Sequence, residues 1–95
     1  MKILFIAFVC NIITISAYAK SGEELFKSCV SCHGVDGNGN KAMKAPRIAG
    51  QYDWYIEATL KKFKSGERKN PQMIPFLKKL NNEDFAKLAQ YISKL

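Results

Sequence analysis

The sequence predicts an all-α fold with three main helices, and three local patterns carry that prediction. Ser21-Gly22-Glu23-Glu24 has capping-box spacing just before Leu25 and Phe26. Tyr55, Ile56, Thr59, Leu60 and Phe63 recur at helical spacing, and so do Phe85, Leu88, Ala89, Ile92 and Leu95. Strand and helix patterns do not alternate anywhere along the chain.

Residues 1–19 read as a leader. Met1 and Lys2 precede an apolar run from Ile3 to Val9, which resumes at Ile12 and Ile13 and ends on Ala17-Tyr18-Ala19. A basic start, a short apolar run and an AxA-like end are the parts of a cleavable secretory signal peptide. The run is too short and too interrupted for a stable membrane span. Cleavage after Ala19 removes Cys10, leaves residues 20–95 as one domain, and places that domain in the periplasm. A domain of this size buries a modest share of its surface and needs a staple.

The first helix is expected from about Gly22 and delivers Cys29-Val30-Ser31-Cys32-His33 at its end. Gly22 is costly inside a helix, which suits a close approach by another backbone. CxxCH is the attachment signature of a c-type haem. Two thiols at this spacing reach neighbouring vinyl groups of one porphyrin, and the next residue offers an imidazole to the iron. The competing readings fit less well. A thioredoxin-like dithiol belongs in an alternating strand and helix pattern, and a plain disulfide leaves His33 unexplained. A zinc site would need a fourth ligand, and beyond the leader only a carboxylate is left to supply it. The haem then replaces the disulfide as cross-link.

Gly34 to Asn40 has three glycines and no apolar period, so it reads as a loop, and Lys41 to Ala49 stays irregular around Pro46. No strand and P-loop lysine frame the glycines, which sets a phosphate cradle aside. The middle helix is expected with Asp53 as its cap and Gly66 as its stop. Tyr52, Trp54 and Tyr55 suit packing in the core or at a haem edge. Gly66 to Pro75 is read as irregular. Asn81 caps the last helix, Glu83 and Asp84 suit its first turn and Lys94 its last, and its apolar stripe is expected to pack around Phe26.

With His33 on one side of the iron, a six-coordinate haem needs a second donor, and the chain has no other histidine. On residue type alone the choice lies between Met43 and Met73.

From Cys29 onward the chain resembles the class I cytochromes c. Within them it is similar to the single-haem cytochromes c-553 and to one half of cytochrome c4. The residues that carry the resemblance are CxxCH-Gly34 with Asp36, Gly37 and Gly39, then Pro46, Ala49-Gly50-Gln51, Tyr55, Leu60, Phe63, Gly66 and Arg68. Met73, Leu80, Asp84, Leu88-Ala89 and Tyr91-Ile92 complete the string. The resemblance implies the class I fold, with three main helices wrapped around one covalent haem c. It implies Cys29 and Cys32 as attachment points, His33 and Met73 as iron ligands, and the Pro46 carbonyl as acceptor for the free ring nitrogen of His33. Thr59 stands where the family often has Gln, and Phe76 where a second methionine is frequent.

The function this implies is single-electron transfer between proteins, without catalysis. Two rivals are a haem subunit of a larger oxidoreductase and a five-coordinate haem enzyme acting on a small ligand such as peroxide. Charge bears on the partner: 15 basic residues face 8 acidic ones, for a net +7, and of the basic residues only Lys2 falls in the leader. That field favours acidic redox proteins, such as a membrane-bound reductase or terminal oxidase, and export argues against nucleic acid. Abundant exposed lysine disfavours permanent burial in a complex, so a monomer is expected.

Overall fold

Ser21 starts the domain as its pattern requires. Its hydroxyl accepts from the Glu24 amide while the Glu24 carboxylate accepts from the Ser21 amide, which satisfies two donors at the helix start. The structure is a computed structural model and describes residues 2–12 and 19–95; the Met1, Ile13 and Ala17-Tyr18 parts of the leader pattern lie outside the described residues. Residues 2–12 have no regular secondary structure and are exposed. No helix among the described residues is long and apolar enough to cross a membrane.

Helix α1 spans Gly22–Phe26, tightens into a 3-10 turn over Lys27–Cys29, and resumes as α2, Val30–His33. The helical run therefore does not stop at Cys29 but carries both cysteines and the histidine. It ends at Gly34, whose φ of 84° and ψ of 157° are open to glycine and costly for other residues. Helix α3 is Asp53–Ser65 and ends on Gly66 in the left-handed conformation. Its N-cap is Tyr52, not Asp53 as the sequence suggests. Asp53 is already inside the first turn, where its carboxylate accepts from the Trp54 amide and favours the positive end of the helix dipole.

The stretch read as irregular up to Pro75 hides the start of a short helix, α4, Ile74–Leu77. Pro75 falls in its first turn, where its missing N–H would have had no partner. Helix α5, Asn82–Ser93, begins with a capping box between Asn81 and Asp84 and stops one residue before Lys94.

The core sits where α5 packs on both α1 and α3. Phe85, Leu88, Ala89 and Ile92 of α5 are buried together with Leu25 and Phe26, with Ile56, Leu60 and Phe63 of α3, and with Leu77 of α4. The Phe26 and Tyr91 rings meet at 5.3 Å, so the α5 stripe does pack around Phe26. Gly22 makes the α1–α5 crossing possible, because a Cβ there would overlap the Lys87 carbonyl oxygen and lie 2.9 Å from the Tyr91 Cβ. Lys64 ties α3 to the segment before α5 by donating to the Leu80 carbonyl, with its ammonium 5.8 Å from the centroid of the Phe85 ring. The apolar face of this three-helix arrangement continues into a cavity, and Cys29, Cys32 and His33 open onto it.

Candidate functional site

The cavity has a volume of about 550 Å³, within the ~300–1,000 Å³ range of small-molecule and cofactor sites. Its walls are mostly apolar. Ile56, Leu60 and Phe63 come from α3, Leu88 and Ile92 from α5, and Ile48 from the loop between α2 and α3. Cys29, Cys32, His33, Pro46 and Met73 all line it, so the fold brings together every residue singled out in the sequence as a site residue.

His33 is 5% exposed, and its Nδ1–H donates to the Pro46 carbonyl at 2.8 Å. That bond fixes the ring plane and leaves Nε2 as the nitrogen with a free lone pair. Pro46 is held in place by a short ladder across the loop. The Gly39 amide donates to the His33 carbonyl at 2.8 Å, Asn40 and Ala45 exchange a pair of backbone bonds, and the Ile48 amide donates to the Gly37 carbonyl at 2.9 Å. Gly39 is what lets the two sides of this loop meet. A Cβ there would lie 2.6 Å from the Ala45 oxygen and 2.7 Å from the Arg47 nitrogen, and its φ of +88° is unfavourable for any side chain.

Replacing Gly39 with alanine is therefore expected to push Pro46 away from His33 and to cost about 2 kcal/mol. Thermal unfolding of the haem-loaded variant followed by circular dichroism should show a melting temperature lower by roughly 8–16 °C, at ~4–8 °C per kcal/mol. An unchanged melting temperature would mean that the loop does not need this close approach.

Cys29 and Cys32 are free thiols, so the pair is not bridged. Burial pushes the Cys29 thiol up from its ordinary range; a hydrogen bond with Ser28 opposes this and the neighbouring Cys32 adds to it. Among the described residues no three His, Cys, Asp or Glu side chains converge as a metal site would require. Two thiols and an imidazole lining one apolar cavity suit a flat group that takes the thiols at its edge and the imidazole at its centre.

Met73 immediately precedes α4. Its amide donates to the Asn70 backbone carbonyl at 3.1 Å and to the Asn70 side-chain carbonyl at 3.3 Å, and its side chain packs against the core. Met43 also lines the cavity, but it lies in the turn after Asn40 and is 48% exposed. The pocket therefore contains both methionines, and their settings differ. Two features of the wall were not read from the sequence. Arg47 and Arg68 border the cavity without a carboxylate partner among the described residues, and Arg68 lies over the Phe63 ring at 5.0 Å. Phe76, one turn beyond Met73, lines the cavity as well; the unrecognised α4 concealed its direction.

An apolar cavity of this size, edged by two free thiols and a pre-oriented imidazole, belongs to the class of small helical proteins that hold haem covalently. The family model described as Cytochrome c matches residues 19–95, and the chain belongs to the cytochrome c family. It is 38% identical over 78 residues to cytochrome c-554(548) of Halomonas halodenitrificans, covering 79% of this chain and 93% of that protein. Cytochrome c-553 of Helicobacter pylori is 41% identical over 73 residues, covering 77% of this chain and 76% of the relative. The crystal structure of cytochrome c4 from Pseudomonas stutzeri is similar with a TM-score of 0.72 at 32% identity, over 78% of this chain but 46% of that one. The chain's cofactor is accordingly one covalently attached haem c, and the all-α class I fold expected from the resemblance is the fold observed.

Proposed function

We propose that this protein is a periplasmic one-electron carrier whose haem is attached through Cys29 and Cys32 and ligated by His33 and Met73. The observation that carries the proposal is the single cavity lined by all four of these side chains, with His33 already oriented by Pro46. When bound, haem supplies a one-electron iron couple. The residues supply the rest. Cys29 and Cys32 anchor its edge, His33 presents Nε2 from a buried and hydrogen-bonded ring, and Pro46 holds the proton on Nδ1. Met73 is preferred to Met43 because it packs on the core and is tethered by Asn70, so a thioether there is held in position without a large entropic cost.

With His33 and Met73 both serving as ligands, a bound haem would offer no free position to a substrate, as a carrier requires and a peroxide enzyme does not. A thioether ligand also raises the potential relative to two histidines. The apolar lining from Leu60, Phe63 and Leu88 excludes water and limits the reorganisation that accompanies a change of charge. Lys44 and Arg47 at the cavity, with the excess of lysine elsewhere, suit an acidic docking patch on a reductase or oxidase. Residues 1–19 act as the cleaved export signal.

The test is a spectroelectrochemical titration of the purified haem-loaded protein, with its N-terminus sequenced after recovery from the periplasmic fraction. The expected result is one reversible one-electron wave, an N-terminus at Lys20, and no turnover of peroxide. Peroxide turnover would move the five-coordinate enzyme to the front.

A further inference from the structure

Asn38 is the only asparagine of the chain that is followed by glycine. In that pair no Cβ hinders the glycine nitrogen from closing on the asparagine side chain. Asn11, Asn40, Asn81 and Asn82 precede residues that carry side chains, and Asn70 precedes Pro71, which has no N–H to give up. Asn38 is also exposed, so water reaches it.

The chemistry this pair permits needs no partner beyond solvent. The Gly39 amide loses its proton, its nitrogen bonds to the Asn38 side-chain carbonyl carbon, the bond from that carbon to its amide nitrogen breaks, and ammonia leaves a cyclic imide behind. Water then opens the imide at either carbonyl. One product is aspartate; the other is isoaspartate, whose main chain runs through the former side chain and is longer by a carbon.

The fold holds both reacting groups back. The Gly39 N–H donates to the His33 carbonyl at 2.8 Å, and this is the hydrogen that the reaction must remove. Asp36 accepts from the Asn38 backbone amide at 3.2 Å and from Nδ2 of its side chain at 2.9 Å, which restrains the leaving nitrogen as well. Imide closure therefore requires the Gly39 bond to His33 to open. Gly39 packs closely on the Ala45 to Arg47 backbone, so its opening loosens the segment that presents the Pro46 carbonyl to His33.

We infer that Asn38 is a spontaneous deamidation site kept latent by the closed loop between His33 and Pro46, so that openings of this loop are recorded in the chain as an irreversible change. Neither product restores the loop. Aspartate sets a second carboxylate where the amide met Asp36 at 2.9 Å, and like charges repel there. Isoaspartate adds a main-chain atom beside Gly39, where a Cβ alone would lie 2.6 Å from the Ala45 oxygen. Modified chains hold the His33 ring less firmly.

The test is peptide mapping by mass spectrometry of the haem-loaded protein, folded and in denaturant, held in mildly alkaline buffer and sampled over days. If the open loop is below ~10% populated in the folded protein, conversion at Asn38 should be at least about tenfold slower there than in denaturant. In denaturant Asn38 should convert ahead of every other asparagine. The variant Asp36→Ala, checked for folding by its haem spectrum, frees the Asn38 amide and should convert severalfold faster than the folded wild type. Equal rates in folded and denatured wild type, earlier conversion at another asparagine in denaturant, or an unaltered rate in folded Asp36→Ala would overturn the inference.

Discussion

Replacing Met73 with alanine is expected to abolish the weak far-red sulfur-to-iron charge-transfer band of the oxidised protein and to turn the haem high-spin. The side chain removed is the one that packs against the core while its backbone is held by Asn70, whereas Met43, the other thioether at the cavity, lies in an exposed turn. Met43→Ala is the matched control: Met43 is half exposed in a turn, and its loss should leave the band intact. The consequence extends to ligand binding. An added anion such as cyanide must displace the thioether in the wild type and meets an open position in the variant. If the displaced state is below ~10% populated, apparent affinity should rise by at least about tenfold. Loss of the band in Met43→Ala, with retention in Met73→Ala, would exchange the two assignments. The potential should also fall in Met73→Ala, since the ligand that favours the reduced state is gone.

The second large effect is expected at Gly22, outside the cavity. A methyl group there collides with the Lys87 carbonyl and crowds the Tyr91 Cβ at 2.9 Å. Backbone cannot rotate aside as a side chain can, so α1 must move away from α5 and open the contacts around Phe26, which is 2% exposed. Overpacking of this kind costs about 3 kcal/mol. For a domain of this size Gly22→Ala should lower the melting temperature by more than about 10 °C. Because α1 leads directly into the turn that bears Cys29, the same shift is expected to loosen the haem attachment segment. A variant that melts with the wild type would show that the helices do not cross at Gly22.

The parts of this architecture that were legible in the sequence are the ones built from neighbours three or four residues apart. The capping box of Ser21 with Glu24 and the cap at Asn81 are local hydrogen-bond arrangements and formed where the sequence placed them, while Asp84, read only as a first-turn acid, also closes a second box onto Asn81. The α3 and α5 stripes are likewise local, and their apolar faces became the core. Asp53 misled because an acidic residue favours both a cap and a first turn; the extended backbone of Tyr52, with ψ of 135°, decided between them. Helix α4 was hidden by Pro71 and Pro75, since proline breaks a helix interior but is accepted in a first turn, and only the position of Met73 shows which applies.

The site was legible as a list but not as a place. CxxCH fixes its chemistry within five residues, whereas the bond from His33 to Pro46 closes a loop of 13 residues that depends on Gly39. Arg47, Arg68 and Phe76 joined the wall through tertiary packing; Arg68 and Phe76 stand out in the sequence as family positions, but nothing local shows that they face the cavity. The same limit applies to Tyr52 and Trp54. Their spacing fits a buried face as well as an exposed one, and only the fold reveals that they remain outside.

The measurement that bears most directly on the account is the electron paramagnetic resonance spectrum of the oxidised wild-type protein at neutral pH. With His33 and Met73 both on the iron, the spectrum should consist of a low-spin signal alone. A dominant high-spin signal would contradict the account, because an open axial position belongs to a haem that binds small ligands and not to one that only passes electrons.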